Sequence, residues 1–215
     1  MSRLRIHNLT VSLDGYVAGP GQSLEYPLGR GSERLHDWAF ATRTFRAMHG
    51  MDGGATGIDD DFAAAGQAGI GATIMGRNMF GPIRGPWGSP EWRGWWGENP
   101  PYHHPVFVLT HHPRPPLTME GGTTFHFVTG GVQEALDQAA EAAADRDILI
   151  GGGANTVQQY LRAGLVDEMH LAIVPVILGG GARLFDDVAG MPGYEPVALA
   201  ASASAMHVKM SRIGS

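Results

Sequence analysis

The stretch ILIGGGANTV, at residues 148–157, decides how this chain folds and what it can bind. A short apolar segment leads directly into three glycines, and a helix-forming segment follows. Glycines let the backbone approach a bound group closely, and the free N–H groups of a helix's first turn point at that group. The helix dipole adds roughly half a positive charge there. The stretch therefore predicts a strand, a turn and a helix that bind an anion such as a diphosphate.

Two other interpretations of this stretch are weaker. A plain strand-to-helix turn is possible, but it does not need the three consecutive glycines Gly151, Gly152 and Gly153. The Rossmann fingerprint requires a third spaced glycine and an acidic residue at the end of the next strand. Thr156 stands where that glycine is needed, and the next predicted strand runs toward Pro175 without an acidic residue. The anion-binding turn is favoured, and the Rossmann fold is rejected.

Two further apolar strands end in polar groups. In TIMGRN, at 73–78, Arg77 follows a buried strand. In VFVLTHH, at 106–112, Thr110 and His111 follow another. The carboxyl ends of parallel strands meet at one edge of a sheet, where open α/β folds bind ligands. Both groups could contact phosphate, although Arg77 could also be an ordinary surface arginine. A metal site at His111 and His112 is disfavoured, because neighbours on an extended chain point in opposite directions. We expect no metal.

The remaining pattern predicts strands alternating with helices, which indicates a mostly parallel sheet covered on both faces. We expect one domain over residues 1–215. The predicted strands are 3–13, 70–75, 106–110, 124–129, 147–150, 166–176, 197–201 and 206–213, the last two antiparallel; the predicted helices are 33–48, 59–67, 132–144 and 155–163.

The composition narrows the class of protein. The chain has 215 residues, 43% hydrophobic and 17% charged, which is typical of a globular domain. The net charge is -6 with a single lysine, so we expect no nucleic-acid partner. There is no cysteine, which excludes disulfides. Without a signal peptide or a sufficiently long apolar run, we expect a soluble, cytoplasmic protein with no membrane partner.

The segment 81–104 is unlike the rest of the chain. It is rich in proline and contains Trp87, Trp92, Trp95 and Trp96. Long loops in compact domains are usually functional or disordered, and four tryptophans argue against disorder. We expect this loop to influence the choice of substrate or to form a partner surface.

The order of these motifs resembles a known family. Strand-Met-Gly-Arg, then strand-Leu-Thr, then strand-Gly-Gly-Gly-x-x-x-x-Gln-x-Leu is similar to dihydrofolate reductase. VSLDGY at 11–16, and GLVDEMHL at 164–171 followed by Pro175 and LGGG at 178–181, resemble the C-terminal reductase domain of riboflavin biosynthesis. The resemblance implies an α/β fold with a mixed, mostly parallel eight-stranded sheet, helices on both faces, NADPH as cofactor and a homodimer.

The resemblance also implies which residues bind the cofactor. The glycine turn would hold the diphosphate, Arg77 and its neighbours would contact phosphate, and His111 with Thr110 would lie near the adenosine 2′-phosphate. The first strand would lie against the nicotinamide, and Asp14 would belong to the loop over it. The cofactor-binding residues implied are Thr10, Val11, Asp14, Gly76, Arg77, Asn78, Thr110, His111, Gly151, Gly152, Gly153, Ala154, Asn155 and Thr156.

The catalytic residue implied by the resemblance is Asp37, on the predicted first helix. A buried carboxylate there could hydrogen-bond a cyclic amidine and help to protonate a C=N bond. A solvated helix aspartate is an equally good interpretation. Trp38 and Tyr16 are the implied substrate contacts.

Three function classes follow. The first is an NADPH-dependent reductase acting on a small heterocyclic substrate, either pterin- or folate-like or ribosylaminopyrimidine-like. The second is a non-catalytic dinucleotide-binding or regulatory protein. The third is a structural homodimer whose tryptophan loop forms the interface.

Overall fold

The computed structural model describes residues 2–83, 85–89, 91–186 and 193–214. Arg84 and Pro90, both in the predicted tryptophan loop, lie outside the described residues. The strands are β1 (Leu4–Ser12), β2 (Tyr16–Ala18), β3 (Ile70–Gly76), β4 (Pro105–Leu109), β5 (Leu117–Thr118), β6 (Thr124–Val128), β7 (Asp147–Gly152), β8 (Glu168–Val174), β9 (Ala182–Arg183), β10 (Tyr194–Ala201) and β11 (Met206–Arg212). The helices are α1 (Asp37–Phe40), α2 (Arg43–Met48), α3 (Ile58–Gln67), α4 (Arg77–Phe80), α5 (Val132–Ala143) and α6 (Ala154–Arg162).

The main sheet has the strand order β10-β11-β8-β1-β7-β3-β4-β6-β5 in the described part of the chain. The six strands from β8 to β6 are parallel, while β11 and β10 extend one edge in antiparallel fashion and β5 extends the other. The predicted mixed, mostly parallel sheet is confirmed. The expected number of eight strands was wrong, because nine are present. The segment 117–118 adds a two-residue edge strand that is too short to leave a periodic pattern in the sequence.

Successive strand residues pack on opposite faces of the sheet, so both faces are covered. Ile74 and Leu171 pack with α5 and α6 on one face. Their neighbours Met75 and Ala172 pack on the other face. Met75 packs against α4 and the tryptophan loop, and Ala172 packs against α1 and α3. This alternation follows from the two-residue period of a strand. The predicted cover of helices on both faces is therefore present.

The predicted helix over residues 33–48 was wrong as a single element. It forms α1 and α2, separated by Thr42, whose φ and ψ are -71° and 151°. The Thr42 hydroxyl accepts a hydrogen bond from the N–H of Phe45 and so caps α2. Threonine competes for backbone donors in this way, whereas the apolar spacing that predicted the helix continues across the break.

A layer of buried polar side chains lies between β1, β8 and β11. Glu168 is 5% exposed and contacts four basic groups: His7 Nε2 at 2.6 Å, Lys209 Nζ at 2.9 Å, Arg5 Nε at 3.3 Å and Arg3 Nη1 at 3.6 Å. Burial alone would raise the pKa of Glu168, but hydrogen bonds from Lys209 and His7 outweigh it and lower that pKa. The carboxylate is therefore charged and compensated inside the fold.

Two buried histidines extend this layer toward the surface. The N–H of Asn8 donates to His170 Nδ1 at 3.1 Å, so the His170 proton lies on Nε2. That Nε2 donates to His207 Nδ1 at 3.0 Å, and His207 Nε2 donates to Asp59 Oδ1 at 2.8 Å. Every hydrogen-bond direction follows from the first one. The chain of bonds connects the backbone of β1 to β8, β11 and α3.

These buried histidines make stability depend on pH. Burial, with the charge of Arg5, lowers the pKa of His7 to about 4, and burial lowers that of His170 to about 3. Their folded pKa values lie below the unfolded value of about 6.5, so the unfolded state takes up protons first as the pH falls. The free energy of unfolding should therefore fall between pH 6.5 and pH 4.5, by up to about 1.4 kcal/mol per pH unit for each histidine.

Chemical denaturation across this pH range measures the effect. His170→Asn removes one titrating ring and keeps a side-chain oxygen near the Asn8 N–H, so its stability should fall less steeply with pH. His49→Asn, at an exposed ring beyond α2, should leave the slope unchanged. A His170→Asn variant with the slope of the parent protein would contradict this account.

Candidate active-site cleft

A cleft of about 690 Å³ opens at the carboxyl edge of the parallel strands. Residues at or near the ends of β7, β3, β4 and β6 line one part of it, and β1 with the segment before α1 lines another. The lining residues are 8–10, Val17, Ala18, Gln22, Pro27, Leu28, His36, 76–79, Ile83, Gly85, Trp95, 109–112, Val128, Thr129, Gly131, 151–156, Gln159 and Ala182. The cleft therefore lies where the strand ends were predicted to converge.

The glycine turn forms the centre of this edge. β7 continues through Gly152, whose φ is +124°, a conformation that L side chains rarely adopt. The peptide bond from Gly152 to Gly153 is cis, and α6 begins at Ala154. A Cβ added to Gly153 would meet no atom within 4 Å, so this backbone faces open space. The first-turn N–H groups of α6 lack intrahelical acceptors and are suited to an anion.

Gly76 holds β3 close to the start of α6. A Cβ at this position would collide with the Thr156 hydroxyl. Because glycine has no Cβ, the end of β3 approaches the helix N-terminus directly, and Arg77 follows at once at the start of α4. The predicted anion groups of two separate strands are thereby brought to one wall of the cleft.

Arg77 is held by an aromatic ring. Its guanidinium lies 3.8 Å from the centre of the Trp87 ring, and Nη2 donates to the Pro86 carbonyl at 3.5 Å. Burial, with the nearby charge of Arg114, lowers the pKa of Arg77, but arginine stays protonated at neutral pH. Stacking therefore orients this cation at the cleft wall.

Thr110 and His111 also line the cleft, but they differ in exposure. Thr110 is 8% exposed, and its hydroxyl accepts a hydrogen bond from the N–H of His112 at 3.1 Å. The His111 side chain is exposed. His111 is thus the freer of the two to contact a ligand, while the Thr110 hydroxyl shapes the turn after β4.

Thr10 lies at the other part of the cleft, on β1. It is 1% exposed, and its hydroxyl accepts a hydrogen bond from Trp38 Nε1 at 2.9 Å. Trp38 is itself 2% exposed and is not a lining residue among those described. Val11, the next residue, packs in the main core on the opposite face. Of these three predicted residues, the structure brings only Thr10 to the cleft.

Asp14 and Tyr16 are likewise absent from the described lining. Asp14 accepts hydrogen bonds from the Ser12 hydroxyl at 2.6 Å and from the N–H groups of Leu178 and Gly179 at 3.1 and 2.7 Å. These bonds, that of Ser12 foremost, lower the pKa of Asp14 to about 2. Tyr16 lies 5.0 Å beneath the Arg183 guanidinium. Both residues therefore connect the segment after β1 to the segment after β8, beside the cleft.

Asp37 lies in solvent. Its side chain is 60% exposed, and its nearest cation is Arg34 at 3.7 Å. Because the break at Thr42 leaves α1 with only four residues, the periodicity of a long helix did not predict which side chain would face inward. The preceding residue, His36, lines the cleft instead. The structure matches the solvated interpretation of Asp37. No local pattern in the sequence marks His36 or Asn8 as a lining residue.

Comparison with known proteins agrees with this geometry. The family model of the RibD C-terminal domain matches residues 5–199. The chain belongs to the RibD C-terminal domain family. Membership implies a reductase, and the family typically uses NAD(P)H.

Solved structures share this fold. A putative riboflavin biosynthesis protein from Shewanella sp. PV-4 is 22% identical, with a TM-score of 0.62 and 99% of each chain covered. A pyrimidine reductase-like protein from Corynebacterium diphtheriae is 14% identical with a TM-score of 0.56, covering 100% of this chain and 93% of that one. Enterococcus faecalis dihydrofolate reductase, complexed with NADP(H) and RAB-propyl, is 15% identical with a TM-score of 0.53, covering 98% and 96%.

A match by sequence covers a shorter stretch of the chain. The uncharacterized protein YyaP of Bacillus subtilis is 49% identical over 62 residues, which is 29% of this chain and 32% of YyaP. The match therefore spans about a third of that relative.

The tryptophan loop of this RibD C-terminal domain packs around α4. Phe80, which is fully buried, meets Trp87 and Trp92 edge to face at ring distances of 5.7 and 5.3 Å. Trp95 and Trp96 both donate hydrogen bonds to the Met79 carbonyl, at 2.5 and 2.7 Å. Only Trp95 lines the cleft, whereas Trp96 packs against the core cluster around Phe80. The described residues of the loop are therefore held by its aromatic side chains, and Ile83, Gly85 and Trp95 contribute to the cleft.

The two adjacent tryptophans provide a matched test of the loop. Trp95→Ala should change the affinity for NADPH or for a pterin at least threefold, because it removes a cleft wall. Trp96→Ala should instead lower the free energy of unfolding by about 2 kcal/mol and change ligand affinity less. Calorimetric titration and chemical denaturation measure the two effects. Ligand affinities unchanged in the Trp95→Ala variant would remove the loop from ligand recognition.

Proposed function

We propose that this protein is an NADPH-dependent reductase that transfers a hydride to a small heterocyclic substrate, either pterin- or folate-like or ribosylaminopyrimidine-like. One observation supports this most directly. The glycine turn with the start of α6, Arg77, His111 and Thr10 line a single cleft at the carboxyl edge of the sheet. Open α/β sheets bind ligands at this edge.

The residues present fit a dinucleotide. The backbone of residues 151–156 would hold the diphosphate, since Gly153 faces open space and α6 supplies N–H groups. Arg77 and Asn78 would contact phosphate, and Thr110 with His111 would lie near the adenosine 2′-phosphate. This arrangement leaves the wall at Thr10 for the nicotinamide.

The bound cofactor supplies the hydride, and the protein supplies the binding and the orientation of both reactants. In this proposal Thr10 is held in place by Trp38 and keeps the first strand against the reactive end of the cofactor. The loops that Asp14 joins lead into Val17, Ala18 and Ala182, which line the cleft and would limit the access of water.

A second candidate is a non-catalytic dinucleotide-binding or regulatory protein. The exposure of Asp37 favours it, as does the lack of an aspartate or glutamate among the described lining residues. Both candidates require the cofactor site, and turnover distinguishes them.

We further propose one reductase domain over residues 1–215 and assembly as a homodimer. Exposed apolar side chains on the outer hairpin of the sheet, Val197, Leu199 and Met206, are the support for assembly. The structure describes no helix with the length and apolar character needed to cross a membrane.

Titration with NADPH tests the proposed function. NADPH should bind the protein, and Gly153→Ala should weaken that binding at least tenfold, because the added methyl group enters the space assigned to the diphosphate. The fold should tolerate the change, since no atom lies within 4 Å of the new Cβ. Gly180→Ala, which also meets no atom within 4 Å, lies outside the described cleft lining and should bind NADPH normally.

Calorimetry and thermal melting measure these quantities. Failure of the parent protein to bind either NADPH or NADH would remove the reductase proposal. Binding without oxidation of NADPH across a panel of pterins and pyrimidines would favour the non-catalytic candidate.

His111→Ala tests the choice between NADPH and NADH. Loss of a hydrogen bond to the 2′-phosphate should reduce the preference for NADPH about fivefold, because bonds to charged groups are stronger than neutral ones. The affinity for NADH should stay the same. His49→Ala, at an exposed histidine away from the cleft, is the control. A full preference for NADPH in the His111→Ala variant would place the 2′-phosphate elsewhere.

A further inference from the structure

We propose that His36 is the residue that recognises the substrate, by a hydrogen bond from its imidazole to a ring amide or ring nitrogen of the heterocycle. The inference rests on the proposed function and assigns a specificity-determining residue to the part of the cleft beside the wall proposed for the nicotinamide. It replaces Asp37, whose side chain points into solvent.

His36 combines two features that indicate a ligand contact. Its side chain lines the cleft in the same region as Asn8, Thr10 and Leu28. Its Nδ1 atom is enclosed yet has no hydrogen-bond partner among the described residues. Buried polar atoms in folded proteins are almost always paired, so a ring nitrogen without a protein partner beside a cleft is available to a group that binds there.

Among the described residues, the His36 ring stacks on one neighbour but makes no hydrogen bond. His36 occupies the N-cap position of α1, but no side-chain hydrogen bond caps the helix. Its backbone carbonyl accepts the hydrogen bonds of Ala39 and Phe40 instead. The ring stacks on that of Phe40 with centres 5.8 Å apart and planes inclined by 23°. The stack limits the orientations of the imidazole and leaves its nitrogens for a ligand.

The charge state of His36 determines what it can bind. Burial lowers the pKa of His36 to about 4, although the charge of Asp37 opposes the shift. At neutral pH the ring is therefore uncharged and offers one donor and one acceptor. Either nitrogen can therefore pair with one group of a ring amide, the acceptor with its N–H or the donor with its C=O. A neutral imidazole gives no ion pair to an amidinium group, which a carboxylate would bind.

The test measures binding to the protein saturated with oxidised NADP, so that no turnover occurs. The probe is pteridine-2,4-dione, a neutral bicyclic ring amide, and 2,4-diaminopteridine is the amidine comparison. His36→Phe keeps the aromatic stack on Phe40 but removes both nitrogens. His36→Asn restores a polar group near the position of Nδ1. His49→Phe is the control, because His49 stacks on Phe45 in the same manner away from the cleft.

We expect the parent protein to bind the dione more tightly than the diamine. His36→Phe should weaken binding of the dione about tenfold. His36→Asn should recover at least a third of the lost affinity, and His49→Phe should leave it unchanged. All variants should bind NADPH as the parent does, since His36 lies outside the proposed phosphate sites. A merely structural role would change thermal stability and not the selectivity between the two probes.

Equal affinity for the dione in the parent and His36→Phe proteins would overturn the inference and leave the reductase proposal intact. Failure of the NADP-loaded parent to bind the dione would show that this wall does not recognise a ring amide. Failure to bind the dinucleotide itself would instead contradict the proposed function.

Discussion

The approach of β3 to the N-terminus of α6 is the constraint on which the cleft depends. Gly76 has no room for a Cβ, because the Thr156 hydroxyl occupies that position. Close contact between a strand end and a helix start brings two kinds of anion-binding group together: the N–H groups after the glycine turn and the guanidinium of Arg77. A larger residue at position 76 would push them apart, since packed interiors transmit such changes in volume.

The position of β1 beside the cleft depends on buried polar contacts. The bonds from the Asn8 N–H through His170 and His207 to Asp59 join β1 to β8, to β11 and to α3. Asn8 has a φ of +57°, and the register between β1 and β8 shifts at this place. The irregularity turns the strand so that residues 8–10 line the cleft. A satisfied polar network of this kind specifies one arrangement of the strand because an unpaired buried group is costly.

The two parts of the cleft are built differently. The part proposed for phosphate relies on main-chain N–H groups and glycines, whose geometry the fold itself provides. The opposite part relies on side chains from β1, from the segment before α1 and from the tryptophan loop. Main-chain sites tolerate changes in sequence, whereas side-chain sites change with each substitution. Solved structures only 14–22% identical to this chain share its fold.

Local sequence patterns were enough to predict the fold class, the antiparallel end of the sheet and one wall of the cleft. Glycine turns and buried strands are local patterns, and the carboxyl ends of parallel strands must meet at one edge. Residues 151–156, 76–78, Thr110 and His111 accordingly line the cleft. The opposite wall depends on the tertiary structure. His36 lines the cleft and Asp37 faces water, while Val11 packs in the core and Tyr16 lies beneath Arg183. Such outcomes depend on packing between segments far apart in the chain, which no local pattern records.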